Sequence, residues 1–129
     1  MRYRDRLRIW ESNSGRSLGW DAELNGRVVG LLDEPRQEDM FWTSYRVSAT
    51  GDDPAVSARQ MSEELWKGDG YTSLVFRSRA LGLVAENPFP AVHPFVGPGR
   101  VSMRGLYISC GPPARWDRLV LKIRAVLRR

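Results

Sequence analysis

The chain holds one thiol, Cys110, and one imidazole, His93. Cys110 sits in I-S-C-G-P-P, between a run that reads as a strand and a run that reads as a helix. A thiol at a helix N-terminus can have a depressed pKa and act as a nucleophile, with a nearby histidine as its base. That pairing would make the protein a small enzyme centred on Cys110 and His93. His93, however, lies in N-P-F-P-A-V-H-P-F-V-G-P-G, residues 87–99, and nothing in the spacing ties it to Cys110. Cys110 also shares strand parity with Leu106 and Ile108, which predicts a buried, inert thiol. A serine nucleophile using the same histidine has no G-x-S-x-G elbow to hold it.

The C-G-P-P stretch resembles the C-G-P-C of thioredoxin-type oxidoreductases over three residues. Its resolving position is Pro113, so dithiol exchange is impossible. Metal chemistry is not expected: zinc-type Cys/His spacing is missing, and D-E-P-R-Q-E-D has no EF-hand periodicity. Those four carboxylates read as a solvated turn. Neither G-x-G-x-x-G nor a P-loop can be drawn, so no cofactor is expected. Five tryptophans fall singly in separate predicted elements, which suits packing better than a stacking platform.

Arginine is the more informative residue. Of 20 basic side chains, 18 are Arg; only Lys67 and Lys122 are Lys. Arginine favours bidentate contact with phosphate or carboxylate. In R-Y-R-D-R-L-R-I-W, residues 2–10, Arg2, Arg4, Arg6 and Arg8 recur every second residue, the spacing of one face of a strand. A charged outward row also protects an edge strand from aggregation, and that solvated-edge reading is preferred. A second basic group, Arg115, Arg118 and Lys122, lies on the predicted terminal helix. These seven side chains are the candidate anion- or partner-binding residues. No catalytic residue and no metal ligand is assigned.

The elements that must carry them follow from local patterns. Asn25-Gly26 within W-D-A-E-L-N-G-R-V-V-G-L-L predicts a two-residue hairpin turn. It sets Leu24 opposite Arg27, Ala22 opposite Val29 and Trp20 opposite Leu31. Residues 41–49 read as a strand after a charged, proline-containing connection. Asp52 or Asp53 as cap, Pro54 in the first turn and Gly68 past the end frame a helix, with Ala58, Met61 and Leu65 as its apolar stripe. Residues 71–77, 80–85 and 100–109 read as further strands. Residues 87–99, rich in proline and glycine, are excluded from regular structure. On the terminal helix, Trp116, Leu119, Val120, Ile123, Val126 and Leu127 share one side, which predicts a docked helix with a basic outer face.

Strand runs with one mid-chain and one terminal helix predict an α+β fold. The expected architecture is a mostly antiparallel sheet with helices packed on it. Its length, 129 residues, suits a single domain over residues 1–129. A lone cysteine, the lack of a signal-type apolar stretch behind M-R-Y-R-D-R-L-R, and no run of membrane-spanning length predict a soluble, cytoplasmic protein without membrane contact. Charge is segregated. Residues 1–10 carry four Arg and one Asp, residues 11–70 six basic and twelve acidic groups, and residues 100–129 eight basic groups and one Asp. Polarised charge without a catalytic constellation favours a non-enzymatic interaction module, its partner another protein or a second copy. A nucleic-acid binder tracking phosphates with the two basic segments is the alternative.

Overall fold

Asn25 and Gly26 turn the chain with φ of 52° and 80°, the left-handed pair that a tight hairpin needs. The hairpin belongs to a computed structural model that describes residues 1–13, 18–91 and 97–128. In chain order the elements are α1 (Tyr3–Glu11), β1 (Trp20–Leu24), β2 (Arg27–Gln37), β3 (Thr43–Ala49), α2 (Pro54–Leu65), β4 (Val75–Ser78), β5 (Phe89–Pro90), β6 (Arg100–Arg104) and α3 (Arg115–Leu127). The strands make one antiparallel sheet in the order β4-β1-β2-β3-β6-β5. The sheet curls into a half-barrel, and the fold is α+β.

The amino-terminal segment is a helix, not a strand. Tyr3, Leu7 and Trp10 recur at i, i+4 and i+7, and this helical period wins over the arginine alternation. Leu7, Ile9 and Trp10 are buried. A strand would have split them between two faces, leaving Trp10 among the arginines. Arginine is also a good helix former, so the sequence pays no propensity penalty.

The hairpin register departs from simple opposition. Leu24 faces Arg27 and Glu23 faces Val28, but Ala22 faces Gly30 and Trp20 faces Leu32. The slip is a β-bulge, which inserts Val29 as an extra residue. Both Val29 and Leu32 are buried as a result. Gly30 comes under Met61 of α2, where an added Cβ would lie 2.8 Å from the sulfur. A second irregularity falls between Asp33 and Arg36. The expected charged connection is therefore the continuation of β2, with Pro35 at the bulge, where its missing N–H costs the ladder nothing.

Helix α2 begins as its sequence predicts. Asp53 is the N-cap, and its carboxylate accepts from the Val56 N–H at 3.3 Å. Its inward face is Ser57, Met61 and Leu65, at i, i+4 and i+8, while Ala58 is exposed. Two strand expectations shorten. Residues 80–85 form a turn that pairs with β4 through an isolated bridge between Arg77 and Val84. The run 100–109 leaves the sheet after Arg104, at Gly105, whose φ is 81°. Within the proline-rich segment, Phe89–Pro90 does pair with β6.

Trp20, Ala22, Leu32, Tyr45, Phe76, Val101 and Met103 build the inner sheet face, and Ile9, Met61 and Leu65 cover it from the helices. The other face is crossed by ion pairs: Arg77–Glu23 at 2.8 Å, Arg79–Asp21 at 2.7 Å and Arg46–Asp33 at 2.8 Å.

Two glycines separate conformational strain from overlap. An added Cβ at Gly26 meets open space, whereas at Gly105 it would overlap the carbonyl of Asn87. Gly26→Ala should therefore cost about 1–2 kcal/mol from positive φ alone. Gly105→Ala should cost more, because a backbone atom must also move. Urea unfolding of both variants checks the order.

Candidate basic and apolar surface at the paired terminal helices

Helices α1 and α3 pack together at one end of the molecule, so the two basic segments share a region. The contact is built from polar ties. Asp117, in the first turn of α3, accepts from the Ala114 N–H at 2.9 Å and from the Tyr3 hydroxyl at 2.8 Å. Glu11, at the end of α1, pairs with Arg124 at 2.8 Å and also with Arg128. Its side chain is only 12% exposed. The Arg6 guanidinium lies 4.9 Å from the centre of the Trp10 ring, and Trp10 meets Tyr3 edge-on at 6.3 Å.

The end of α1 is pinned to the segment before α3. Trp10 donates its indole N–H to the Gly111 carbonyl at 2.9 Å. The Asn13 side chain donates to the Ile108 carbonyl at 2.7 Å and accepts the Ile108 N–H at 2.8 Å, imitating a strand partner. Ser12 meets Ser78 of β4 at 3.2 Å.

These ties fix which side of α3 turns inward. Asp117, Val120, Leu121, Arg124 and Ala125 are its partly covered residues, and none of its residues is buried. Val120 alone of the expected apolar stripe lies on that side. Trp116, Leu119, Ile123, Val126 and Leu127 face outward, between 48% and 79% exposed. The docked helix with a basic outer face is thus corrected: the outer face is largely apolar. Its physical cause is Glu11 and Tyr3, which recruit Arg124, Arg128 and Asp117 inward.

The candidate cations separate accordingly. Arg2 is the N-cap of α1, and Arg4 and Arg8 are exposed on it. Arg6 is half-buried on Trp10, so the four do not form the expected row. Arg115, Arg118 and Lys122 do converge, together with Trp116 and Leu119, around an open hollow of about 660 Å³. None of those three cations makes an ion pair among the described residues. Sequence reasoning found these residues but missed their grouping with an exposed apolar stripe.

Cys110 packs against the core that Leu106 and Ile108 enter, as its parity predicts, but it is partly exposed rather than fully buried. It lies four residues before the Ala114 N-cap. His93 falls outside the described residues. Among the described residues, no group of three His, Cys, Asp or Glu side chains gathers to hold a metal, and no helix is long and apolar enough to cross a membrane.

Asp117 is held below its usual carboxylate value of 3.8, first by the Ala114 N–H and then by the Tyr3 hydroxyl. Tyr3 is held above its usual 10.0, chiefly by its hydrogen bond to Asp117. A lowered carboxylate contributes fully above its unfolded pKa, and the contribution is lost as pH falls through the folded value. Amide exchange at residues 114–118 should therefore accelerate as pH drops below about 4, beyond the intrinsic pH effect. The step should be missing in Asp117→Asn.

No protein-family model, no curated protein and no solved structure matches this chain, so its surface chemistry stands on its own geometry.

Proposed function

We propose that this protein is a non-enzymatic interaction module whose α3 outer face receives an acidic amphipathic helix of another protein. One observation carries the reading: Trp116, Leu119, Ile123, Val126 and Leu127 stand in water as a stripe along one helix, and the core cluster takes no residue from α3. Contiguous exposed apolar surface on a folded domain marks interaction sites.

The spacing defines the partner's shape. Trp116, Leu119, Ile123 and Val126 are separated by 3, 4 and 3 residues, the seam of a helix that packs along another helix. A helix of this length is about 20 Å long, enough for two turns of a partner to interlock but too short to hold a pair without a scaffold. Trp116 at one end supplies the wide, amphipathic contact typical of binding hot spots.

The charges define the partner's chemistry. Arg115 and Lys122 border the seam on one side and Arg118 stands one turn between them. Acidic side chains flanking the partner's apolar seam would meet these unpaired cations. A second copy of this chain fits less well, since in an antiparallel pair Arg115 and Lys122 would oppose the same cations. A nucleic acid fits less well too. Phosphate tracking needs exposed cations in a row, whereas the α1 row is broken and Arg124 and Arg128 are engaged with Glu11.

The probe is a designed amphipathic helical peptide with leucines on the seam and glutamates flanking it, titrated against the full chain by fluorescence. A matched peptide with lysines in the flanks is the control. The glutamate peptide should bind at least about tenfold more tightly, a preference that weakens with salt. Leu119→Glu with Ile123→Glu should abolish binding and leave the melting temperature nearly unchanged, because both positions are exposed. Equal affinity for both peptides, concentration-dependent dimerisation of the free chain, or preferential binding of duplex DNA at physiological salt would overturn the reading.

A further inference from the structure

At the opposite side of the Asn13 clamp, the curled sheet leaves a cleft of about 560 Å³ at its mouth. We propose that this cleft binds a small ring-bearing carboxylate, with Arg104 as the anion anchor. The volume lies within the range of small-molecule sites, which occur at the mouths of curled sheets and barrels. Tyr45, Met103 and Leu106 form an apolar floor; all three are buried. Phe41 and Tyr107 stand at the rim, 62% and 50% exposed, where they can close on a flat ligand.

Most polar groups in the cleft are already engaged, which leaves a short set for a ligand. Thr43 donates to the Gln37 side-chain oxygen at 3.2 Å, and the Gln37 amide donates to the Asp39 carbonyl. Both sides of Asn13 are taken by Ile108. Arg104 differs. Its guanidinium stacks 5.4 Å from the centre of the Phe41 ring and forms no ion pair among the described residues. Stacking on one face leaves the N–H edge of the guanidinium free, and that edge matches a carboxylate in bidentate geometry.

The neighbouring acids limit the charge the site can take. Asp39 accepts from the Phe41 and Trp42 N–H groups at 2.8 and 3.0 Å, and Glu38 accepts from the Ser44 hydroxyl at 2.5 Å. Both carboxylates lie in the chain between the lining residues Gln37 and Met40, so one negative charge on the ligand suits the site better than the two of a phosphate. Tyr45 adds a second donor. Burial raises the pKa of its hydroxyl to about 12, so it keeps its proton at neutral pH. No acceptor for that proton occurs among the described residues, and a ligand oxygen over the floor would supply one.

The test is a ¹H–¹⁵N NMR titration of the full chain with naphthalene-2-carboxylate, its neutral carboxamide, and acetate. The carboxylate should shift the Arg104 side-chain Nε–H signal and the backbone signals of residues 41–45 and 103–107. The carboxamide and acetate should each bind at least about tenfold more weakly, one lacking the charge and the other the ring. Arg104→Gln should remove the preference for carboxylate over carboxamide, its unperturbed spectrum elsewhere showing an intact fold. Leu119→Glu with Ile123→Glu should leave the titration unchanged, which separates this site from the α3 surface. Equal binding of carboxylate and carboxamide, shifts confined to α3, or no shift at millimolar probe would overturn the proposal.

Discussion

The Glu11 carboxylate decides which way α3 faces. It sits almost out of water at the end of α1, where an unpaired charge would cost several kcal/mol, and Arg124 and Arg128 meet it there. Arg124 and the C-cap Arg128 are one turn apart, and with Asp117 and Val120 they mark one side of α3. Once that side is turned toward α1, the stripe from Trp116 to Leu127 has nowhere to go but outward. A purely hydrophobic optimum would have rotated the helix by roughly half a turn. The observed rotation leaves apolar side chains in water and keeps the ions paired. The proposed partner helix would cover the apolar surface that this rotation leaves in water.

The same end of α1 organises the rest of the molecule. Trp10 and Asn13 fasten the segment 108–111, which carries the chain from the sheet to α3. Asn13 also forms part of the wall of the cleft at the sheet's mouth. One clamp thus separates two surfaces of different character. On one side is a long apolar seam with cations, suited to a helix. On the other is a concave, partly polar cleft whose floor is the inner sheet face. Gly105 lets the chain leave the sheet between them by passing against the Asn87 carbonyl.

Much of the fold was legible because it was written locally. Asn25-Gly26 specifies a turn, Asp53-Pro54 a helix start, and each works through the geometry of a few adjacent residues. What the sequence concealed depends on partners distant along the chain. The arginine alternation masks the helical spacing of Tyr3, Leu7 and Trp10, because both periods run through the same nine residues. Both bulges in β2 were hidden, since Val29 and Pro35 announce no slip until α2 and Arg46 are in place. Of the candidate site, Arg115, Arg118 and Lys122 were visible as cations. The exposure of their apolar neighbours is not visible there, because periodicity defines a stripe without saying whether protein or water lies against it. The ties of Glu11 and Tyr3 to α3, each spanning more than a hundred residues, settle that direction.

The central claim is that the apolar side of α3 faces solvent in the free protein, and it can be measured directly. With the full chain labelled with 5-fluorotryptophan, the ¹⁹F signal of Trp116 is assigned by Trp116→Phe. Its shift is then compared between H₂O and D₂O. Trp116 is 69% exposed, whereas Trp10 and Trp20 are 5% and 2% exposed. The Trp116 signal should show most of the solvent isotope shift of the free amino acid, and the Trp10 and Trp20 signals little of it. A Trp116 signal as insensitive to D₂O as that of Trp20 would mean that α3 packs by its apolar side, and would contradict the account.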